Sequence, residues 1–128
     1  MRIRFVRFHP VFVIRSDWLV RPKGGRVWCF LFINLVFIRS DLWCDDGLLS
    51  HELVHIDQHI RTLYVHPVLY YFSASYRLRC EVDAYRVQMC CYPGCDDIDS
   101  LRWLFAGYIS GWYNIGISKE DAYLLLGD

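Results

Sequence analysis

One uninterrupted apolar run limits what this chain can fold into. Residues 27–38, VWCFLFINLVFI, are rich in Val, Ile, Phe and Trp, with Asn34 among them. A bilayer-spanning helix needs about 20 apolar residues, so a run of twelve is too short to cross a membrane. β-Branched and aromatic residues favour a buried strand. We therefore predict one buried strand over residues 26–38.

Two further strands and a turn are predicted before this run. RIRFVRF, residues 2–8, alternates basic and apolar side chains at its start, which predicts a strand with its arginines in solvent. VFVIR, residues 11–15, predicts a second strand. RPKGG, residues 21–25, predicts a turn, because proline fixes one backbone angle and glycine tolerates positive φ.

Helical spacing begins near Leu48 and accounts for most of the remaining chain. Pro67 disfavours helical geometry in His66, so the first helix should end there, and proline then suits the first turn of the next helix. Ser118, with Asp121 three residues later, resembles a capping box and predicts a short last helix. The four predicted helices span residues 48–66, 67–91, 101–113 and 119–126.

Strands followed by helices indicate an α+β fold. We predict a small N-terminal antiparallel or mixed β-sheet packed against a C-terminal set of helices, in a single domain over residues 1–128, with strands in 1–40 and helices in 47–128. The formal net charge is zero, which gives no argument for a nucleic-acid partner. No secretory signal or membrane span is visible, so we expect a protein of the cytoplasm or of a virion, without a membrane partner.

The stretch LLSHELVHIDQHI, residues 48–60, contains the pattern H-E-x-x-H. On a helix, His51 and His55 lie one turn apart on the same face, so two imidazoles can bind one metal ion. Glu52 lies on the adjoining side, where it can reach a water on that ion without ligating it. Zinc peptidases have this arrangement. The motif predicts one catalytic Zn²⁺, with His51 and His55 as ligands and Glu52 as general base.

A catalytic zinc ion has three protein ligands and an open position for water, so the motif needs a third ligand. Leu53, the midpoint of the motif, lies fourteen residues before Pro67, and Glu81 lies fourteen residues after it. If the two helices form an antiparallel hairpin, Glu81 returns to the level of the histidines. The other candidates for the third ligand are Asp57, His59, His66, Cys80 and Asp83.

HELVH followed by CEVDAYRVQ, residues 80–88, resembles the gluzincins, zinc peptidases whose third ligand is a glutamate on the helix after the motif. The chain is most similar to their very short single-domain members and to uncharacterised zincin-like proteins of bacteria and phages. The resemblance implies a zincin-like domain in which His51, His55 and Glu81 bind zinc and Glu52 is the base. It also implies that the substrate is a peptide or protein.

Two features depart from the larger gluzincins. An aspartate four residues after their third ligand supports a metal histidine, but Tyr85 stands here, so Asp57 or Asp83 would have to replace it. We also expect no separate C-terminal domain that would supply a group to stabilise the transition state. The candidates for that group are Tyr76, Tyr85, His59 and His66. We expect a shallow cleft between the motif helix and the edge strand near Asn34, where an extended peptide can add to the strand.

Two other functions remain open at this point. The chain could use a zinc-stabilised zincin fold for binding or assembly, for example as a virion or tail component of a larger complex, with little or no peptidase activity. It could also hydrolyse a non-protein amide, such as a cell-wall peptide link. Full zinc content without turnover on diverse peptides would indicate the first function, and activity on peptidoglycan fragments the second.

Overall fold

A computed structural model of the chain describes residues 1–20, 24–30, 33–92, 94 and 96–127. It confirms the predicted α+β class, with a four-stranded mixed sheet followed by helices. The strands are β1 (Arg2–Val6), β2 (His9–Arg15), β3 (Gly25–Phe30) and β4 (Ile33–Ile38). A short 3-10 helix (Ser40–Leu42) leads to α1 (Asp46–Arg61), α2 (His66–Phe72), α3 (Ala74–Cys90), α4 (Ile98–Trp112) and α5 (Lys119–Gly127). Among the described residues, no helix is long and apolar enough to span a bilayer.

The strands lie in the order β1-β2-β4-β3. β2 and β4 are parallel neighbours in the centre, while β1 and β3 pair antiparallel to them and form the two edges. The predicted turn at residues 21–25 falls largely on residues 21–23, outside the described residues. Gly24, which belongs to it, has a φ of +84°, a backbone conformation that L side chains rarely adopt.

The prediction of one strand over residues 26–38 is wrong. The run forms two antiparallel strands, β3 and β4, in which Val27 lies opposite Val36 and Cys29 opposite Asn34. A single strand of this length would extend roughly 40 Å at ~3.3 Å per residue, far beyond its neighbours in a small sheet. Two paired halves satisfy each other's backbone groups within the width of the domain.

The first two predicted helices are also wrong in their limits. α1 ends at Arg61 rather than at His66, because Leu63 and Tyr64 adopt positive φ in the turn that follows. The second predicted helix is divided into α2 and α3 at Ser73, whose backbone is extended. The Ser73 hydroxyl accepts a hydrogen bond from the Tyr76 amide at 3.2 Å and caps α3.

The predicted capping of the last helix is confirmed. The Ser118 hydroxyl accepts from the Asp121 amide at 3.0 Å and donates to the Asp121 carboxylate at 2.7 Å. Asp97 caps α4 by accepting from the Ser100 amide at 2.9 Å. Both contacts satisfy backbone amides that have no partner within the first turn of a helix.

Two hydrophobic cores lie on either side of α1 and α3. The first joins α1 to the inner face of the sheet, and the second joins α3 to α4 and α5. The buried residues of the first core are Val11, Val13, Val36, Ile38, Leu48, Leu49 and Ile56. Those of the second are Val82, Tyr85, Phe105, Ala106, Ile109, Ala122 and Leu126. The boundary between the cores therefore runs between α1 and α3, which pack directly against each other.

The arginines of β1 lie on the face of the sheet that is turned toward the helices. Arg4 is exposed as predicted, but Arg2 and Arg4 lie opposite Val13 and Val11, whose side chains point toward α1. The Arg2 guanidinium packs over the Trp43 ring, 4.6 Å from its centroid.

The face of the sheet that is turned away from α1 is called the outer sheet face, and the strand register shows which residues belong to it. Its described residues are Ile3, Phe5, Pro10, Phe12, Ile14, Arg26, Trp28, Ile33, Leu35 and Phe37.

Gly25, the first residue of β3, allows α1 to approach the edge of the sheet, because a Cβ at this position would overlap the Glu52 carboxylate. We expect Gly25→Ala to lower the free energy of unfolding by about 1–3 kcal/mol, the usual cost of overpacking. Urea denaturation monitored by circular dichroism measures the change. Gly111→Ala is the matched control, because a Cβ there meets open space and alanine favours the helix by up to about 1 kcal/mol. Equal stability of the two variants would contradict the close contact.

Candidate metal centre

Three predicted ligands, His51, His55 and Glu81, form one cluster between α1 and α3. The Nε2 atoms of the two histidines are 3.2 Å apart. His51 Nε2 lies 3.7 Å from Glu81 Oε2, and His55 Nε2 lies 3.6 Å from Glu81 Oε1. Glu81 therefore lies beside the motif, although the helices have different limits from those predicted. The turn after α1 and the short helix α2 still bring α3 back against α1.

The donor atoms fit a small divalent cation. Zinc bonds of roughly 2.0–2.2 Å in a tetrahedron place the ligand atoms roughly 3.3–3.6 Å apart. The two Nε2 atoms are 3.2 Å apart, and each lies 3.6 or 3.7 Å from a different oxygen of Glu81. One ligand atom from each of the three residues lies within 4.8 Å of the other two. Glu81 is 1% exposed, and its Oε2 has no hydrogen-bond partner within the described residues. A buried carboxylate oxygen without a donor suits a cation, and imidazole with carboxylate suits zinc and other first-row divalent metals.

Gln58 fixes the orientation of the His55 ring. The Gln58 amide donates from Nε2 to the Cys80 carbonyl at 3.2 Å, so its Oε1 faces His55 Nδ1 at 2.9 Å. His55 Nδ1 must then carry a hydrogen and donate it. In the neutral imidazole this leaves the Nε2 lone pair directed at the cluster, as metal-binding histidines require.

The metal-free cluster is an ion pair. Burial by itself lowers the pKa of His55, but the Glu81 carboxylate more than offsets this and raises that pKa to about 9. Burial by itself raises the pKa of Glu81, but the charge and hydrogen bond of His55 more than offset this and lower that pKa to about 2. Near neutral pH the cluster therefore contains an imidazolium and a carboxylate, and a cation can replace the proton on His55 Nε2.

Tyr70 contacts the same carboxylate, and sequence analysis missed it. Its hydroxyl donates to Glu81 Oε1 at 2.5 Å. Burial and the neighbouring Glu81 raise the pKa of Tyr70 well above its ordinary value, so the hydroxyl remains a donor. The residue lies on α2, and the continuous helix predicted over this region gave no reason to bring it beside Glu81. Sequence analysis did not predict the extended backbone of Ser73, which separates α2 from α3.

Neither aspartate proposed to support a metal histidine does so. Asp57 instead forms ion pairs with Arg7 and Arg61, and Asp83 is exposed. Gln58 provides the contact to His55. The side of His51 is covered by Tyr85, whose ring centroid lies 4.4 Å from that of His51.

The other candidates for the third ligand lie outside the cluster formed by the described residues: Asp57, His59, His66, Cys80 and Asp83. His59 packs against Tyr64 and His66, with ring centroids 4.8 and 5.7 Å away. Burial and the adjacent histidines lower the pKa of His66 to about 4, which keeps its ring neutral. The hydroxyl of Tyr76 lies 2.9 Å from His66 Nδ1.

Two cavities meet at the cluster. The larger, about 980 Å³, lies between β3 and α2, and the smaller, about 500 Å³, is lined by aromatic residues of α3 and α4. Five residues border both cavities: Gly25, Glu52, His55, Tyr70 and Glu81. Of the candidates for stabilising a transition state, His59 and His66 border the larger cavity and Tyr85 the smaller.

The strand beside the cleft is not the predicted one. Asn34 lies on the interior strand β4, is fully buried, and donates from Nδ2 to the Pro10 carbonyl at 3.4 Å. The edge strand that borders the larger cavity is β3. The error follows from treating residues 26–38 as one strand, because the fold-back turns the second half of the run inward.

Metal binding at this centre should release about one proton near pH 7, because His55 has a pKa of about 9 without metal and must lose its Nε2 proton to ligate. Apparent affinity for Zn²⁺ should therefore rise as pH increases toward 9. Titration calorimetry in buffers of different ionisation enthalpy counts the protons. Heats that do not depend on the buffer would contradict the ion pair.

Gln58→Leu should weaken Zn²⁺ binding by about 10–100-fold, the usual loss when the partner of a metal histidine is removed. Competition with a zinc-binding dye measures the affinity. Gln88→Leu is the control, because Gln88 is buried on α3 and contacts Tyr92 at 3.3 Å. Equal weakening in both variants would indicate general loosening of the helices instead of orientation of His55.

Comparison of the chain with known protein families, with curated proteins and with solved structures finds no match. The chemistry of the centre must therefore be inferred from its own residues. These give a buried group of two imidazoles and one carboxylate that could hold a metal ion.

Proposed function

We propose that the chain is a zinc-dependent metallopeptidase of gluzincin type, in which His51, His55 and Glu81 hold the zinc ion. One observation carries the proposal. Glu81 lies thirty residues after His51 in the sequence, yet its carboxylate oxygens are 3.6 and 3.7 Å from the Nε2 atoms of the two histidines. A histidine-rich surface helix without a metal would have no need of a buried carboxylate at this position.

A bound zinc ion would supply Lewis acidity and lower the pKa of water toward ~7. Glu52 is the side chain that would handle protons. It follows His51 on α1, is buried, and borders both cavities beside the cluster. Its carboxylate would accept a proton from the attacking water and donate it to the leaving amide nitrogen.

The cleft supports a peptide as substrate. The edge strand β3 borders the larger cavity along Gly25, Arg26, Val27, Trp28 and Cys29. An extended peptide can bind an edge strand through main-chain hydrogen bonds. Because Glu52 borders both cavities, a peptide bound beside it could extend into either of them.

Metal analysis combined with Glu52→Gln tests the proposal. Wild-type protein should hold one zinc ion per chain, and His51→Ala and Glu81→Ala should lose it. Glu52→Gln should retain zinc and cleave peptides about 10²–10⁴-fold more slowly, the usual contribution of a general base. Glu120→Gln, an exposed position on α5, should be unchanged in both measurements.

Three outcomes separate the alternatives. One zinc ion per chain without turnover on a diverse peptide library would indicate a zinc-stabilised binding or assembly protein instead of a peptidase. Turnover of peptidoglycan fragments alone would indicate hydrolysis of a cell-wall amide. Absence of zinc, or cleavage that Glu52→Gln does not change, would contradict the proposal of a metallopeptidase.

A further inference from the structure

The outer sheet face is apolar and largely uncovered. Phe5 is 71% exposed, and Ile3, Trp28 and Ile33 are each about half exposed. Among the described helices, α1 makes the main contacts with the sheet, and the core it forms is on the opposite face. A sheet with one face in water normally alternates apolar and polar residues, with the polar ones outside. Here the outer face is apolar as well as the inner one, and a large exposed apolar patch is typical of a face that is buried against a partner.

We propose that the outer sheet face packs against the same face of a second copy of this chain. Two such faces, about 10 Å apart, would form a two-layer β-sandwich. The contact would be isologous, because each copy offers the same surface to the other.

The area of the face suits a dimer. Aromatic side chains have about 150–250 Å² of surface each, so the exposed fractions of the outer sheet face correspond to roughly 600 Å² of apolar surface. This area reaches the lower limit of specific interfaces, which bury about 600 Å² per partner.

Charge favours a second copy over an anionic surface. Arg26 is the one charged side chain on the outer face among the described strand residues, and it donates to the Leu19 carbonyl at 3.2 Å. The arginines of β1 point to the helix side and cannot reach a layer that covers the outer face. Apart from Arg26, whose guanidinium already donates to a carbonyl of its own chain, two such faces would pack without burying a charge.

The interface would lie beside the cleft without covering the metal cluster. Trp28, Ile33 and Leu35 belong to the outer face and also border the larger cavity. The cluster itself lies beyond β3, between α1 and α3. The interface would therefore share Trp28 with the proposed peptide cleft. The proposal of a dimer does not rest on the proposed peptidase activity.

Sedimentation equilibrium of the zinc-loaded full chain over a range of concentrations tests the proposal. Wild type should have twice the chain mass of 15.3 kDa at micromolar concentration. Phe5→Glu should raise the dissociation constant by about 30–1,000-fold, as expected for a central apolar contact. Ile33→Glu, at the opposite end of the face, should do the same and serves if Phe5→Glu fails to fold by circular dichroism.

Phe72→Glu is the matched control, since Phe72 is 80% exposed on α2 and lies outside the sheet; its dimer should be as stable as wild type. A monomeric wild type, a mass above the dimer, or equal weakening by Phe72→Glu would overturn the proposal. A monomer that sediments with phosphatidylserine vesicles and loses this property in Phe5→Glu would identify a lipid surface as the occupant instead. A monomer that binds no vesicles would contradict both occupants.

Discussion

A buried carboxylate between two imidazoles is the interaction on which the arrangement of α1 and α3 depends. Glu81 lies on α3 with almost no access to water, and a buried charge of this kind is costly unless a positive charge offsets it. The imidazolium of His55 does so without metal, as the raised pKa of His55 and the lowered pKa of Glu81 indicate. A divalent cation would do so more fully. Either way, α3 must remain in contact with the motif face of α1.

The same requirement explains how the polar residues around the cluster are used. Gln58 is held by the Cys80 carbonyl of α3 and in turn holds His55, so one contact between the helices also sets the direction of a ligand. Tyr70 reaches Glu81 from α2. Arg77 anchors that region by donating to the Tyr70 carbonyl at 2.6 Å and the Tyr113 carbonyl at 3.1 Å. The carboxylate is thus held by α2 as well as by α3.

Sequence reasoning located the cluster because its information is local and periodic. Four-residue spacing places His51 and His55 on one helix face, and a count across Pro67 placed Glu81 at their level. It failed where the decisive contacts are long-range. The fold-back of residues 26–38 depends on pairing with β2, and the break at Ser73 depends on a cap that competes with helix continuation. The outward direction of Phe5 depends on its register with Pro10, which alternation along one strand cannot supply.

Tyr70 and Gln58 show why the remaining half of a site is harder to find. Glutamine three residues after a histidine is common on helices, and it becomes a metal-site residue only when a carbonyl on another helix fixes its amide. A tyrosine eleven residues before Glu81 becomes its donor only because the chain bends between them. In both cases the residue type is unremarkable, and tertiary contacts alone give it a role.

The position of the cluster between two cores has the same consequence for either proposed function. One core joins α1 to the sheet, the other joins α3 to α4 and α5. A metal ion bound by two residues of α1 and one of α3 would therefore link the two cores and add its binding energy to folding. That contribution is the same for a peptidase and for an assembly protein. Glu52 is different, because it does not belong to the ligand group. The distinction between the two functions therefore rests on this one carboxylate.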